Sequence, residues 1–482
     1  MKNEDSLAFA TIEELAALLA KRKVSPVELT ELFLRRIERY NPLLNAFLTV
    51  TADHALAAAR RAEKEISRSR GSILRNRPLL GIPIALKDNI CTRGIRTTAG
   101  SRILRDFVPK ADATVARKLA RAGTILLGKT NMNEFAYGIT GNNAHYGPVH
   151  NPWALDRMTG GSSAGSSAAV AAGLCVASVG TDTGGSIRIP SAFCGIVGVK
   201  PAFGRVSVFG TIPLAPSFDH VGPIARSVPD AALLLGLLAG RDSLDSTSSP
   251  RRVEDFRGAL VKPFQTFRLG RPREHFWEKL DSKVRHAADS ALRDFEKNGA
   301  VVREVSLPHL NESLEAATDI SLAESLHTHK AAGYFPGRAG EYSEEVRLRI
   351  ESGGNVPAIR YLEAFDIRKR ALAEFDSAFH DVDAIAAPTV PFPAPPMGAE
   401  YVEMNGERIS VRAAVVGMNR PPNFTGLPAI SVPCGFTREG LPIGLQLIGR
   451  AFDETTLLRI AYSYERSHDW AVRHPFLSSP EP

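Results

Sequence analysis

Apolar and polar positions along the chain follow a helical period in some stretches and form short buried runs in others. Two capping-box patterns, Thr11 with Glu14 and Ser25 with Glu28, precede amphipathic stretches and predict two N-terminal helices. Residues 52–70 have the alanine spacing of a third helix. The chain is therefore predicted to begin with a group of helices.

Short apolar runs bounded by Gly, Pro or Asp are typical of buried strands. They occur at 79–90, where Lys87 ends the run, and at 124–128, 301–305, 382–388 and 440–449. Further helical patterns lie near 112–122, 229–239, 283–297, 314–331, 341–351 and 357–379. The proline-rich segment 389–398 cannot be helical. This mixture predicts an α/β protein.

Composition narrows the class of protein without identifying its function. The 482 residues are 44% hydrophobic and 23% charged, which excludes disordered, collagen-like and coiled-coil classes. The net charge of +7 is spread along the chain and gives little support for nucleic-acid or membrane binding. The four cysteines are scattered, the N-terminal segment does not match a secretory signal, and no apolar run reaches membrane-span length, so the expected location is the cytoplasm.

Two segments match sequence motifs of functional loops, but their neighbouring residues argue against those functions. Residues 123–130 fit a phosphate-binding loop, but their middle is a strand-like Thr-Ile-Leu-Leu, which favours a strand and a turn. Residues 161–165 fit the nucleophile elbow, but no apolar strand is predicted just before them. His327 and His329 lie two apart on a predicted helix and point to different faces, so a metal site is not expected.

Small residues are concentrated in two blocks, 159–173 and 180–195. Within the second block, Gly184, Gly185 and Ser186 allow a ligand to approach the backbone and combine amides with a hydroxyl, as an oxyanion hole requires. A seam of small residues packed between elements is the structural alternative.

Seven blocks in order along the chain resemble the amidase signature family, whose members use a Ser, Ser, Lys triad. The blocks are LLGIPIALKDNI, GKTNMNEFAYG, HNPWALDRMTGGSSAGSS, GTDTGGSIRIPSAFCGIVGVKPAFGR, DHVGPIARSV, FTGLPAISVPCG and GLPIGLQLIG. The resemblance implies one α/β/α domain over 1–482 with a central mixed, mostly parallel sheet. Its parts would be N-terminal helices at 1–70, a core at about 78–240, a substrate-shaping region at about 243–420 and a core return at about 421–470.

The resemblance also implies roles for individual residues. Lys87 would be the base, Ser162 the proton relay after a cis peptide bond from Gly161, and Ser186 the nucleophile. An oxyanion hole would be formed by the amides of Thr183, Gly184, Gly185 and Ser186. The substrate pocket would include Ala136, Tyr137, Gly138 and Ser162, with support from Ser163, Asp182, Arg188 and Asp219. Ala164 departs from the family, which usually has Gly there, and this leaves the triad intact.

The chemistry of these residue types agrees with such roles. A serine hydroxyl attacks an amide only when a base removes its proton, and burial at the end of an apolar strand lowers the pKa of a lysine towards neutrality. We therefore predict an amidohydrolase that cleaves a linear carboxamide to an acid and ammonia or an amine, with no metal and no cofactor.

A second function remains open at this point, the glutaminase A-type subunit of a tRNA-dependent amidotransferase in the same family. Ile189 and the triplet Phe218-Asp219-His220 differ from that subunit's typical pattern and favour the amidase. The expected partners are then a small amide substrate and a second copy of the chain, with no nucleic acid and no membrane. The segments expected to determine substrate choice are 310–360 and 389–420. Candidate substrate-binding residues in them are Arg338, Arg347, Arg360, Phe392 and Met397.

Overall fold

The computed structural model describes residues 4–262 and 266–477. Its helices are α1 (Glu4–Ala8), α2 (Ile12–Ala20), α3 (Pro26–Leu44), α4 (Ala52–Arg68), α5 (Thr114–Ala122), α6 (Ala164–Ala171), α7 (Arg188–Cys194), α8 (Val228–Leu238), α9 (Phe256–Leu260), α10 (Ser282–Lys297), α11 (Leu310–Ala331), α12 (Glu344–Ser352), α13 (Ala358–Asp381), α14 (Val411–Thr425) and α15 (Glu454–Glu465). Short 3-10 turns connect several of them.

The strands are β1 (Phe47–Val50), β2 (Pro83–Lys87), β3 (Ile125–Thr130), β4 (His150–Asn151), β5 (Ala154–Met158), β6 (Ala177–Asp182), β7 (Val197–Lys200), β8 (His220–Ala225), β9 (Arg268–Pro272), β10 (Val301–Val305), β11 (Ala384–Pro388), β12 (Tyr401–Met404), β13 (Glu407–Ser410), β14 (Ala429–Phe436) and β15 (Pro442–Ile448). Both capping boxes form as predicted, at the starts of α2 and α3.

One sheet joins strands from most of the chain. Among the described residues it has eleven strands in the order β1-β3-β2-β6-β8-β7-β14-β15-β11-β9-β10. The pairs β2–β3, β2–β6, β9–β10 and β9–β11 are parallel, and the remaining neighbours are antiparallel. The predicted α/β domain with a mixed central sheet is therefore confirmed, with its parallel pairs in two blocks.

Helices cover the sheet in two groups. Helices α6 and α7 contact each other and pack on β2, β6, β7 and β15, while α8 and α15 contact each other and pack on β8 and β14. The central strands β2, β3, β6, β7 and β8 are buried at every position, as expected for strands with helices on both sides. Burial of these strands places any side chain at their ends in a low-dielectric environment.

Two motif matches are resolved by the strands around them. Residues 125–130 form β3, and Lys129 is fully buried within it, so the phosphate-loop match is a strand as predicted. A strand does precede the nucleophile-elbow match, contrary to expectation, because 154–158 forms β5. That strand pairs with β4 in a small separate sheet and bridges to Pro396, and its Leu155 and Asp156 are exposed, which explains its polar sequence.

Candidate active site

Lys87 is the last residue of β2, and its side chain is completely buried. Its Nζ donates to Oγ of Ser162 at 2.7 Å and to Oγ1 of Thr181 at 2.8 Å. Burial lowers the pKa of Lys87 from 10.5 to about 7, although the carboxylates of Asp182 and Asp219 act in the opposite direction. A neutral amine able to accept a proton is thus well populated near neutral pH.

Ser162 follows a cis peptide bond from Gly161, as the resemblance implied. The Ser162 carbonyl accepts a hydrogen bond from the amide of Asn133 at 3.3 Å. Gly161 lies so close to Asn133 that a Cβ at this position would come within 2.1 Å of Oδ1. Only glycine therefore fits at this position beside Asn133.

Ser186 lies in the loop between β6 and α7 and faces the Ser162 segment. Its carbonyl accepts from the amide of Ser163 at 3.1 Å. Ser186 retains 4% exposure, whereas Ser162 and Lys87 have none, so a ligand reaches Ser186 first. The described hydrogen bonds include none between the Ser162 and Ser186 hydroxyls, and such catalytic contacts are often long before substrate binds.

Asp182 and Arg188 form a fully buried ion pair at the two ends of this loop. Arg188 donates to both carboxylate oxygens at 3.1 Å, and Asn423 donates to Oδ1 at 2.9 Å. Burial disfavours the charged carboxylate. The charges of Arg188 and Lys200 and the hydrogen bonds from Arg188 and Asn423 together outweigh burial and hold the pKa of Asp182 well below its usual range. The predicted pairing of these two residues is therefore present as a rigid support for the loop.

The loop amides are divided between this support and the open side. The Gly185 amide was expected to form part of the oxyanion hole. It donates instead to Oδ1 of Asp182 at 2.8 Å and is not free for a ligand. The amide of Ile187 likewise donates to Oδ2. Within the described chain, the amides of Thr183, Gly184 and Ser186 have no protein acceptor. These three N–H groups remain for a ligand.

Two further predicted supports are also held in place. Asp219 accepts from Oγ1 of Thr183 at 2.6 Å and from the amides of Leu214 and Ala215. Burial raises the pKa of Asp219 to about 6 despite these hydrogen bonds. Ser163 donates its hydroxyl to the Thr181 carbonyl at 3.1 Å. Both side chains are therefore occupied in shaping the loop.

The segment expected to line the substrate pocket packs beside Ser162 through Asn133. Ala136 has a positive φ of 60°, and a Cβ on Gly138 would lie 2.4 Å from Nδ2 of Asn133. Tyr137 is buried, and its carbonyl accepts a hydrogen bond from Arg349. The tight turn at 136–138 is thus fixed from both sides.

The arginines nominated from the sequence do not point to a ligand. Arg338 pairs with Glu341, Arg347 with Glu351 and Arg360 with Asp319. Phe392 is buried in an apolar cluster, and Met397 is partly exposed beyond it.

Two residues of the site were not predicted from the sequence. Thr181 contacts Lys87, and Asn423 contacts Asp182. The FTGLPAIS block begins directly after Asn423, which was the signal available.

No group of three or more His, Cys, Asp or Glu side chains suited to a metal ion occurs in residues 4–262 and 266–477. His329 instead bonds to Tyr342 through Nδ1 at 2.8 Å. Among the described helices, none combines the length and apolar character needed to cross a bilayer.

Asp182→Asn is expected to destabilise the loop strongly, because Arg188 would keep its buried charge without a counter-ion. Breaking one side of a buried ion pair costs about 3–5 kcal/mol. We expect a clearly lower melting temperature and a slower reaction of Ser186 with an acylating probe, both measured on purified protein. Asp366→Asn is the control, since Asp366 and its partner Lys369 are exposed, and its melting temperature should not change. Equal behaviour of the two variants would contradict the supporting role of Asp182.

Comparison with known proteins gives the family and several relatives. Residues 28–458 match the sequence profile of the Amidase family. The chain is 42% identical over 493 residues to a protein of Moorella thermoacetica that is named as the A-type subunit of glutamyl-tRNA(Gln) amidotransferase, covering 98% of this chain and 99% of the relative.

Two solved structures have the same fold over 95% of this chain. One is reported as "An unexpected vestigial protein complex reveals the evolutionary origins of an s-triazine catabolic enzyme", with 35% identity, 98% of its own chain covered and a TM-score of 0.89. The other is the A-type subunit of glutamyl-tRNA(Gln) amidotransferase from Thermotoga maritima, with 34% identity, 95% of its chain covered and a TM-score of 0.77.

These relatives correct the predicted set of partners. The expectation that nucleic acid is not among them is wrong, because full-length relatives are named as one subunit of an enzyme with a tRNA in its name. They also favour the second of the two functions predicted above over the first. Since the family profile spans 28–458 and a relative is 42% identical over almost the whole chain, this protein belongs to the amidase family of hydrolases.

Proposed function

We propose that this chain is the amide-hydrolysing A-type subunit of a glutamyl-tRNA(Gln) amidotransferase, which releases ammonia from glutamine for use by its partners. The observation that carries the proposal is the buried contact of 2.7 Å between Lys87 and Ser162, within a chain 42% identical to such a protein over almost its full length. The differences at Ile189 and His220 lie outside this contact, because Ile189 is buried in an apolar cluster and His220 bonds to the Phe218 carbonyl and to Lys200. The use of aminoacylated tRNA would locate the protein in the cytoplasm.

In the proposed mechanism, neutral Lys87 accepts the proton of Ser162 while Ser162 accepts that of Ser186. The oxygen of Ser186 attacks the amide carbon, and the carbonyl electrons move to the oxygen. The amides of Thr183, Gly184 and Ser186 would donate to this oxyanion, and each such donor contributes about a hundredfold or more in rate. Because the Gly185 amide is bound to Asp182, we assign it to positioning of the loop.

Collapse of the tetrahedral intermediate breaks the carbon–nitrogen bond, and the proton held by Lys87 returns through Ser162 to the leaving nitrogen. Ammonia departs, and an ester of Ser186 remains. Water then gives one proton to the same relay and attacks the ester. This step releases the carboxylic acid and restores Ser186. Each half of the cycle returns the proton that it takes, the first to the leaving nitrogen and the second to Ser186, so neither a metal nor a redox cofactor is required.

The test replaces the corresponding subunit of the Moorella thermoacetica amidotransferase with this chain and follows conversion of glutamyl-tRNA(Gln) to glutaminyl-tRNA(Gln) with glutamine as nitrogen donor. We expect conversion that depends on this chain and is lost with Ser186→Ala. The purified chain alone is assayed for ammonia release from glutamine, acetamide, benzamide and an anilide. Hydrolysis of other amides combined with no use of glutamine in either setting would contradict the proposal.

A second candidate is an amide hydrolase of another pathway. The observation in its favour is the higher TM-score, 0.89, with the s-triazine-related structure than with the solved amidotransferase structure, 0.77. The amide panel separates the two candidates, because this one predicts turnover of an amide other than glutamine by the isolated chain.

A further inference from the structure

A cavity of about 520 Å³ opens beside the Ser186 loop, between α11, α14 and the start of α13. Arg412 and Arg420 line it from α14. They are eight residues apart and therefore lie on the same face of the helix, with Val416 between them. Neither arginine forms an ion pair with a carboxylate of the described chain.

The two arginines are partly buried, and their guanidinium groups lack the ion-pair partners that buried cations normally have. The Arg412 guanidinium has no hydrogen bond to any residue in 4–262 or 266–477. Arg420 donates from one Nη to Oγ1 of Thr318 at 3.0 Å, and its Nε is buried without a partner. Burial and the neighbouring charges of Arg349 and Arg420 lower the pKa of Arg412 to about 9. An anion in the cavity would relieve both deficits.

Other charges near the cavity are largely accounted for. Arg360 and Asp319 on its rim pair with each other at 2.8 Å, and Glu315 lies at its exposed edge. Arg349 is held by Glu345 and by the Tyr137 carbonyl. The unpaired positive charge is thus that of Arg412 and Arg420.

Helix α14 also contacts the proposed nucleophile loop at this point. A Cβ on Gly184 would lie 3.4 Å from Nε of Arg420, and a Cβ on Gly185 would lie 2.5 Å from Cβ of Asn419. Gly184 is two residues from Ser186, a separation that spans at most about 7 Å of chain. A molecule that reaches both the Ser186 hydroxyl and the Arg420 guanidinium therefore has only a few carbon atoms between its two ends.

We propose that Arg420, with Arg412 behind it, binds a carboxylate at the far end of the acyl group, so that the substrates are amides of short dicarboxylic acids, with glutamine one member of this class. Resting on the proposed function, the inference adds to it a site for the acid end of the substrate. A guanidinium binds a carboxylate through paired charge-assisted hydrogen bonds, whereas a neutral amide offers no charge to it.

Binding is measured by calorimetry in Ser186→Ala protein, so that the result does not depend on catalysis. The probes are glutaramate, which has one amide and one carboxylate, and its neutral analogue pentanediamide. We expect Arg420→Gln to weaken glutaramate binding about ten- to a hundredfold, the usual effect of losing a hydrogen bond to a charged group. Binding of pentanediamide should change little, and Arg420→Lys should recover part of the loss. Arg370→Gln is the matched control, since Arg370 pairs with Glu312 on the surface and does not line the cavity, and it should bind glutaramate like its parent.

Three results would overturn the inference. They are no binding of glutaramate to the parent protein, equal binding to the parent and to Arg420→Gln, and an equal loss for the neutral analogue, which indicates a structural role for Arg420. A failure of the proposed reaction would be recognised by a different measurement. Ser186→Ala would then keep the hydrolytic activity, whereas the binding results would be unaffected.

Discussion

Ser186→Ala is expected to abolish amide hydrolysis and labelling by a fluorophosphonate probe, because the variant has no oxygen at the position that attacks the carbonyl. Removal of the nucleophile from a serine hydrolase lowers kcat by about a millionfold. The variant should fold normally, since the side-chain hydroxyl of Ser186 supports no described element. Ammonia release and mass spectrometry of the labelled protein measure the two effects.

Ser167→Ala is the matched control for this experiment. Ser167 lies in α6 within the same serine-rich region, is fully buried, and its hydroxyl has no partner among the described residues. Labelling and turnover should therefore stay close to those of the parent protein. Full activity in Ser186→Ala, or a label on a different serine, would overturn the mechanism.

Lys87→Ala is expected to lower both hydrolysis and labelling by about a hundred- to ten-thousandfold, the usual contribution of a general base. The effect has a defined pH dependence, because only neutral Lys87 accepts a proton. In the parent protein the rate should fall about tenfold per unit below the pKa of about 7 and level off above it. In Lys87→Ala that midpoint should disappear. The deficit should shrink at high pH, where hydroxide replaces the missing base.

Lys118→Ala controls for the general effect of losing a half-buried lysine. Burial also lowers the pKa of Lys118, but its Nζ donates to the carbonyls of Leu238 and Ala239, at the end of α8. The pH profile of labelling should keep its midpoint in this variant. A midpoint near 7 that survives in Lys87→Ala would assign the titration to another group and contradict the proposed base.

The local pattern of the chain was sufficient for most individual elements. Capping boxes, helical periods and short apolar runs predicted α2, α3, β2, β3 and β15 within a few residues, because these elements are specified by neighbours in sequence. Helix α14 was missed, since its last turns contain Pro421 and Pro422 and its segment has no clear period. Packing against α11 and α13 supports that helix.

The family, the fold class and the identities of Lys87, Ser162 and Ser186 were available from the sequence by itself, because the motifs that carry them are contiguous. Their arrangement was decided by tertiary structure. Strand β2 pairs with β6, which brings Lys87 against Thr181 across 94 residues of sequence, and burial between two helical groups lowers its pKa.

Which arginines form ion pairs could not be predicted from the sequence for the same reason. Arg338, Arg347 and Arg360 form ion pairs with carboxylates, whereas Arg412 and Arg420 on α14 form none with the described residues. Composition counts charges but does not say which of them are paired, and pairing depends on distances that only the folded chain defines.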